Sequence, residues 1–293
     1  MEKPIGAVDL GGTKIISALF TPQGEPLNEP VSSPTGAQSS PETVVANICD
    51  NFRASLERCG RSLAEVCRLG VGVPTTLRYS EGLIDPSPNL PTLSDYPLGK
   101  ALEERLGLTV ALENDANCFI LGEQARGAAI GYENCCGVTL GTGLGLGLIL
   151  GGKIHHGDFE CAGEIWNCPY GEEEKNLEYL ASGSALVREY ETAAGVRLEG
   201  EEIYQRALAG DPAARAVFRG FGRALGHGLS YVVNLLDLGI IVIGGSAARA
   251  WELFEGPLIE TVQRHRIGRN RTRIVRGSLG ALAPLYGAAQ LGG

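Results

Sequence analysis

Glu113-Asn114-Asp115-Ala116-Asn117 places carboxylates and carboxamides directly behind the small and apolar residues Thr109 to Leu112. A buried strand handing over there to a helix, Ala116 to Ala128, leaves Asp115 near the helix N-terminus. Negative charge is favourable at that place, and polar side chains there face a cleft. A carboxylate so placed can take the proton of a hydroxyl as its oxygen attacks phosphorus. Read alone, the stretch is a helix N-cap, the commoner role for Asn and Asp.

Two glycine turns change that reading. Gly11-Gly12-Thr13 and Gly141-Thr142-Gly143 each follow an apolar run. A turn without side chains lets backbone N–H groups point at an anion, and a threonine hydroxyl adds a donor. Gly244-Gly245 is a third such pair, after another apolar run. None matches the G-x-G-x-x-G or G-x-x-x-x-G-K-[ST] pattern in its required context, so dinucleotide-fold and Walker readings fail. Asp9 precedes the first turn and is placed to hold Mg²⁺ through water, since Mg²⁺ takes few carboxylates and keeps its waters. Its plainer role is a strand-end residue bonded to the turn backbone.

The elements that must position these residues follow from apolar periodicity. Strands are expected at 4–10, 14–20, 69–73, 110–112, 135–140, 144–150, 239–243 and 273–275, with a hairpin turn at Thr21–Gly24 leading into a third strand. Helices are expected at 42–59, 98–106, 116–128, 182–194, 200–209, 212–236, 246–264 and 279–291, and a further one from near Glu173. The stretch 75–96 reads as loop. Residues 7–13 and 137–143 match in pattern: a Gly/Thr turn joins two apolar strands, and a glycine-containing hairpin comes next. This internal duplication is too long for a solenoid and implies two α/β domains with an interdomain cleft.

Composition narrows the partners. The 293 residues are 44% hydrophobic and 20% charged, enough for a large core or two domains. A net charge of −9 argues against nucleic acid held by a broad basic field, and Arg264 to Arg276 reads as a solvated face. Without a long apolar run or a signal segment, the chain is expected in the cytoplasm, away from membrane. The eight cysteines are expected as free thiols.

Six motifs stand in order: Val-Asp-Leu-Gly-Gly-Thr-Lys (8–14), Glu-Asn-Asp-Ala-Asn (113–117), Leu-Gly-Thr-Gly-Leu-Gly (140–145), Ala-Gly-Glu-Ile (162–165), Glu-Tyr-Leu-Ala-Ser-Gly (178–183) and Ile-Gly-Gly (243–245). Together they resemble the ROK family of the sugar-kinase, hsp70 and actin superfamily. The resemblance implies two ribonuclease-H-like, actin-like ATPase domains closing on ATP and a hexose. It suggests a small domain of residues 1–113 with 278–293, and a large one of 114–277. It implies that Asp9, Gly11, Gly12, Thr13 and Lys14 serve phosphate and Mg²⁺. Gly141, Thr142 and Gly143 would meet the outer phosphates, and Gly244 and Gly245 the adenosine. The sugar contacts would be Asn89, Asn114, Asp115, Glu164 and Glu178, with Asp115 as catalytic base. A homodimer is expected on the same ground.

The chain departs from the family where Trp166-Asn167 replace Gly-His, and Tyr170 to Asn176 replace the zinc-binding cysteine knuckle. His155, His156, Cys161 and Cys168 offer donors, but their spacing matches no common zinc pattern, and no structural zinc is expected. Asn167 is read as standing in for the missing imidazole at the sugar. Thr75 and Ser94-Asp95-Tyr96 also depart, in sugar-side loops. Glucose is the expected substrate from its frequency in the family, with fructose, mannose, N-acetylmannosamine and allose open, and the donor is ATP with another nucleotide or polyphosphate open. A sugar-sensing transcriptional regulator of the same family is the reading from another class. The acidic balance and the short stretch before Asp9, with no room for a DNA-binding domain, argue against it.

Overall fold

The computed structural model describes residues 2–170 and 175–292. The chain divides into two compact units, Met1–Ile130 with Ile154–Ala162 and Ala281–Gly293, and Gly131–Lys153 with Gly163–Gly280.

In the first unit, β1 (Ile5–Leu10), β2 (Lys14–Phe20), β3 (Val31–Pro34), β4 (Leu69–Val73) and β7 (Val110–Asn114) form a sheet in the order β3-β2-β1-β4-β7. A two-stranded hairpin, β5 (Leu77–Arg78) and β6 (Leu83–Ile84), stands apart from it. β1 and β4 are buried almost throughout, so they read as continuous apolar runs rather than alternating ones. β1, β4 and β7 pair in parallel, which requires crossovers. α1 (Pro41–Arg58) and α2 (Leu98–Leu106) supply them. α1 begins where Ser40 accepts the Thr43 N–H and Pro41 opens the first turn. It buries Val44, Val45, Ile48, Phe52 and Leu56 against the sheet core. α3 (Asp115–Arg126) follows β7 without a loop.

The second unit repeats the plan. β8 (Cys135–Leu140), β9 (Leu144–Leu150), β10 (Lys153–Ile154), β11 (Ile240–Gly244) and β12 (Arg273–Arg276) lie in the order β10-β9-β8-β11-β12. β8 and β9 are an antiparallel hairpin, while β8, β11 and β12 are parallel. Between the hairpin and β11 come α4 (Leu177–Leu180), α5 (Gly183–Ala194), α6 (Gly200–Leu208) and α7 (Pro212–Leu236), and α8 (Trp251–His265) precedes β12. α7 has the bounds read from the sequence because Asp211 caps Ala213 and Ala214 with Pro212 next, and an apolar face runs from Val217 to Val233.

Some expectations are corrected. The third strand starts at Val31 rather than soon after Gly24, since Pro22, Pro26 and Pro30 cannot donate to a ladder and only the bridge Phe20–Pro26 forms. The 246–264 helix is a 3₁₀ turn, Ser246–Ala250, followed by α8, because the chain leaves a positive-φ Gly245 in a tight i→i+3 turn. The last helix shrinks to Ala283–Ala288, entered at Pro284 after the positive-φ Gly280. Within 75–96, Arg78 ties the β5–β6 hairpin together through Asp85 (2.9 Å), Glu81 (3.1 Å) and Asp95. Glu173, where a helix was expected, and the 171–174 part of the replaced knuckle lie outside the described residues. No described helix is long and apolar enough to cross a membrane.

Candidate active site

The first unit gathers one set of the expected residues. Asn114 ends β7 and is the cap of α3: its Oδ1 accepts the Ala116 N–H at 2.9 Å and the Asn117 N–H at 3.2 Å. Asp115 is thus the first helical residue, where the helix dipole favours its charge. The Asn114 amide donates to the Thr75 carbonyl at 3.1 Å, and the Asn89 amide to the Pro74 carbonyl at 3.4 Å. The carbonyls of two consecutive residues thereby anchor the two carboxamides. Asn89 also abuts the first glycine turn, since a Cβ on Gly12 would lie 3.0 Å from its carbonyl oxygen. That turn closes with the Gly11 N–H on the Lys14 carbonyl at 2.9 Å and is braced by the Thr35 hydroxyl on the Gly11 carbonyl at 2.6 Å. Thr13 and Lys14 are exposed at its tip.

Asp9 sits on β1 opposite Gly72 of β4. Burial pushes its carboxyl up to about 6, against the opposing pull of Lys14. A carboxylate beside a glycine turn suits a Mg²⁺ ion that keeps its waters and is held through them. Cys118, on α3, ties the region together: its thiol is pushed well up by burial first, then by Glu113, Asp9 and Asp115. All three carboxylates therefore act on one spot.

Glu113 was not singled out from the sequence, and it is heavily bonded. It is 3% exposed. Oε1 accepts from the Asn114 N–H at 2.8 Å, the Asn117 amide at 2.9 Å and the Tyr79 hydroxyl, while Oε2 meets His156 Nε2 at 2.8 Å. The available signal was a glutamate closing an apolar strand, since a buried charge must find partners.

The second unit gathers another set. Glu178 Oε2 accepts the Leu144 N–H at 2.9 Å, and a Cβ on Gly143 would lie 2.3 Å from that oxygen. Only glycine at 143 admits this carboxylate against the second turn. The α5 N-terminus packs there too, with the Gly183 N–H on the Gly141 carbonyl and the Ser184 hydroxyl on the Thr142 carbonyl, both at 2.8 Å. Gly244 pairs with Thr139, and Gly245 (φ +84°) runs so close to Leu140 that a Cβ would meet its carbonyl oxygen at 2.4 Å. Glu164 accepts the Trp166 indole N–H. Burial raises its carboxyl, Trp166 opposes that, and Glu178 adds to it. Trp166 is thus a contact that the sequence reading missed, whereas the exposed Asn167 bonds to Glu164 through its backbone N–H at 3.3 Å. Among the described residues, no group of three or more His, Cys, Asp or Glu is placed to hold a metal ion.

Two duplicated α/β units, each opened by a glycine-turned hairpin, define the two-domain actin-like ATPase fold. A family model described as "ROK family" matches residues 5–292, and the chain belongs to that family. It is 31% identical to a glucokinase of Streptomyces coelicolor over 314 residues, spanning 97% of this chain and 96% of that protein. An N-acetyl-D-glucosamine kinase of Mannheimia succiniciproducens is 29% identical, with 97% of both chains covered. The crystal structure of a ROK hexokinase from Thermus thermophilus superposes with a TM-score of 0.85 at 33% identity, covering 98% of this chain and 96% of that one. A ROK family glucokinase from Streptomyces griseus in complex with glucose and AMPPNP gives 0.86 at 30%, with 98% of both covered.

Proposed function

We propose that this protein transfers the γ-phosphoryl group of ATP to the 6-hydroxyl of a hexose, with glucose the leading substrate. The observation that carries this reading is the first-unit cluster, in which Asp115 opens α3, the Asn114 and Asn89 amides bond the carbonyls of Thr75 and Pro74, and Asn89 abuts the first glycine turn. Family membership and the glucokinase and N-acetylglucosamine kinase relatives support it.

Asp115 takes the proton of the 6-hydroxyl as that oxygen bonds to the γ-phosphorus and the bond to the ADP oxygen breaks. Such general-base help is worth about 10²–10⁴-fold, with positioning and electrostatics supplying the remainder. Asn89, Asn114, Glu164, Asn167 and Glu178 hold the other sugar hydroxyls. The first turn, Gly11, Gly12 and Thr13 with Lys14, and the second, Gly141, Thr142 and Gly143, hold phosphates, while Gly244 and Gly245 lie against the adenosine. Asp9 would hold Mg²⁺ through water, and the ion when bound offsets phosphate charge. The protein acts as a homodimer.

ADP release measured with and without each of glucose, fructose, mannose, allose, N-acetylmannosamine and N-acetylglucosamine tests the reading. Hexose-dependent release, highest in kcat/KM for glucose, is expected. Equal rates with and without every sugar overturn it.

A further inference from the structure

Glu113, His156, Tyr79 and Glu160 form a polar cluster in the first unit that none of these roles uses. His156 Nε2 lies 2.8 Å from Glu113 Oε2, and the imidazole packs on the Tyr79 ring with centroids 4.1 Å apart. The Tyr79 hydroxyl donates to the other oxygen of the same carboxylate. Glu160 fastens the rest of the 154–162 segment, accepting the Ser80 N–H at 3.0 Å and facing the Ser80 hydroxyl at 3.4 Å. The Ala162 N–H closes the loop on the His156 carbonyl at 2.9 Å.

What this holds in place is the start of α3. The Glu113 Oε1 that accepts from Tyr79 also accepts from the Asn114 N–H and the Asn117 amide, on either side of Asp115. One carboxylate therefore fixes the backbone before Asp115 and a side chain two residues after it. Its second oxygen has His156 as the neighbour that stops it rotating. We propose that His156 is a positioning residue for phosphoryl transfer, acting through Glu113 to hold Asn114 and Asp115 in register with the hexose. This rests on the kinase reading above.

Protonation follows from the geometry. The groups facing His156 are Glu113, Glu160 and Tyr79. The hydrogen bond to Glu113 raises the imidazole pKa above its ordinary 6.5, burial opposes this, and the charges of Glu113 and Glu160 add to it. Tyr79 is pushed far up by burial and by Glu113, so it stays a neutral donor. The charged pair is therefore complete below pH 6.5 and is lost as pH rises through the raised value.

The test compares His156→Phe, which keeps a ring against Tyr79 but no donor, with His156→Gln, which keeps a donor to Glu113 but no titration. His156→Phe is expected to lower kcat/KM for the hexose by about 10–100-fold, as a displaced reacting group does. KM for ATP should stay within about two-fold, and His156→Gln should recover most of the loss. In the unaltered enzyme hexose kcat/KM falls as pH rises through the His156 titration, and the Gln variant lacks that limb. Two results overturn the inference: a folded Phe variant with unchanged hexose kinetics, or losses matching a fall in melting temperature that Gln does not rescue. If the Phe variant does not fold, the Gln variant's pH profile decides, and retention of the limb overturns the inference. An unaltered enzyme with no hexose-dependent ADP release sinks the kinase reading and this inference together; an active one with indifferent variants sinks this inference alone.

Discussion

The two glycine turns descend from one pattern and now differ in what surrounds them. The first closes β1 and β2 between Leu10 and Ile15, and the second closes β8 and β9 between Leu140 and Leu144, one residue tighter. In the matched positions the strand before the turn carries Asp9 in one case and Thr139 in the other. The first turn is abutted by the backbone carbonyl of Asn89 and braced by Thr35. The second takes a carboxylate, Glu178, onto the N–H of the residue that follows it. Duplication thus supplied the same scaffold twice, and single side chains gave each copy its electrostatics. A raised carboxyl beside the first turn suits a cation. A glutamate against the second has one carboxylate oxygen bound to backbone.

The largest effect expected from breaking this division is at the base. Asp115→Ala should lower kcat by about 10²–10⁴-fold if Asp115 is the proposed proton acceptor. The protein should still fold, because Asn114 and not Asp115 caps α3. Steady-state ADP release and a thermal melt on the same sample check both halves.

A finer comparison lies within the second turn. Gly143→Ala drives a methyl to 2.3 Å from Glu178 Oε2 and must displace that carboxylate, whereas a Cβ on Gly141 meets nothing within 4 Å. Gly143→Ala should therefore raise hexose KM by about 10-fold or more, as misplacing a contact group does, and Gly141→Ala should cost far less. Equal losses in the two variants would remove Glu178 from the sugar.

Asp9→Asn tests the first turn from the other side. Apparent Mg²⁺ affinity in the ATP reaction should fall by about 10-fold, since the carboxylate that holds the ion through water is lost. The free protein should respond in the opposite direction. A carboxyl raised from 3.8 to about 6 has its stabilising share fully present below pH 3.8 and loses it as pH rises to 6. Above pH 6 without Mg²⁺, the Asn variant should accordingly be more stable, by about 1–2 kcal/mol once partial exposure is allowed for. Chemical denaturation at pH 7 reads this.

Asn114→Ala is expected to have a modest effect on stability. Losing the cap of α3 costs about 1 kcal/mol. If Asn114 also contacts sugar, hexose KM rises while KM for ATP does not.

Much of the fold was legible locally. β1, β4 and β8 show as short apolar runs beside glycine, and α1 and α7 show through a cap, a proline and an apolar face. Where prolines or positive-φ glycines interrupted the pattern, as before Val31 and after Gly244, the extent of the element was misjudged. The site was legible as motifs and not as contacts. Nothing near Glu113 points to His156, nor anything near Gly143 to Glu178, because those pairs are 43 and 35 residues apart in sequence. Trp166 on Glu164 was within reach, only two residues away, but a 3₁₀ turn had to form before the indole could meet the carboxylate.

By itself, then, the sequence determined the doubled hairpin pattern and the strand-to-helix junction that puts Asp115 at a helix start, because propensity, capping and periodicity act over a few residues. Only the tertiary structure decided which polar side chains share a carboxylate. That choice depends on loops closing over tens of residues and on burial that makes an unpaired Glu113 too costly to leave alone.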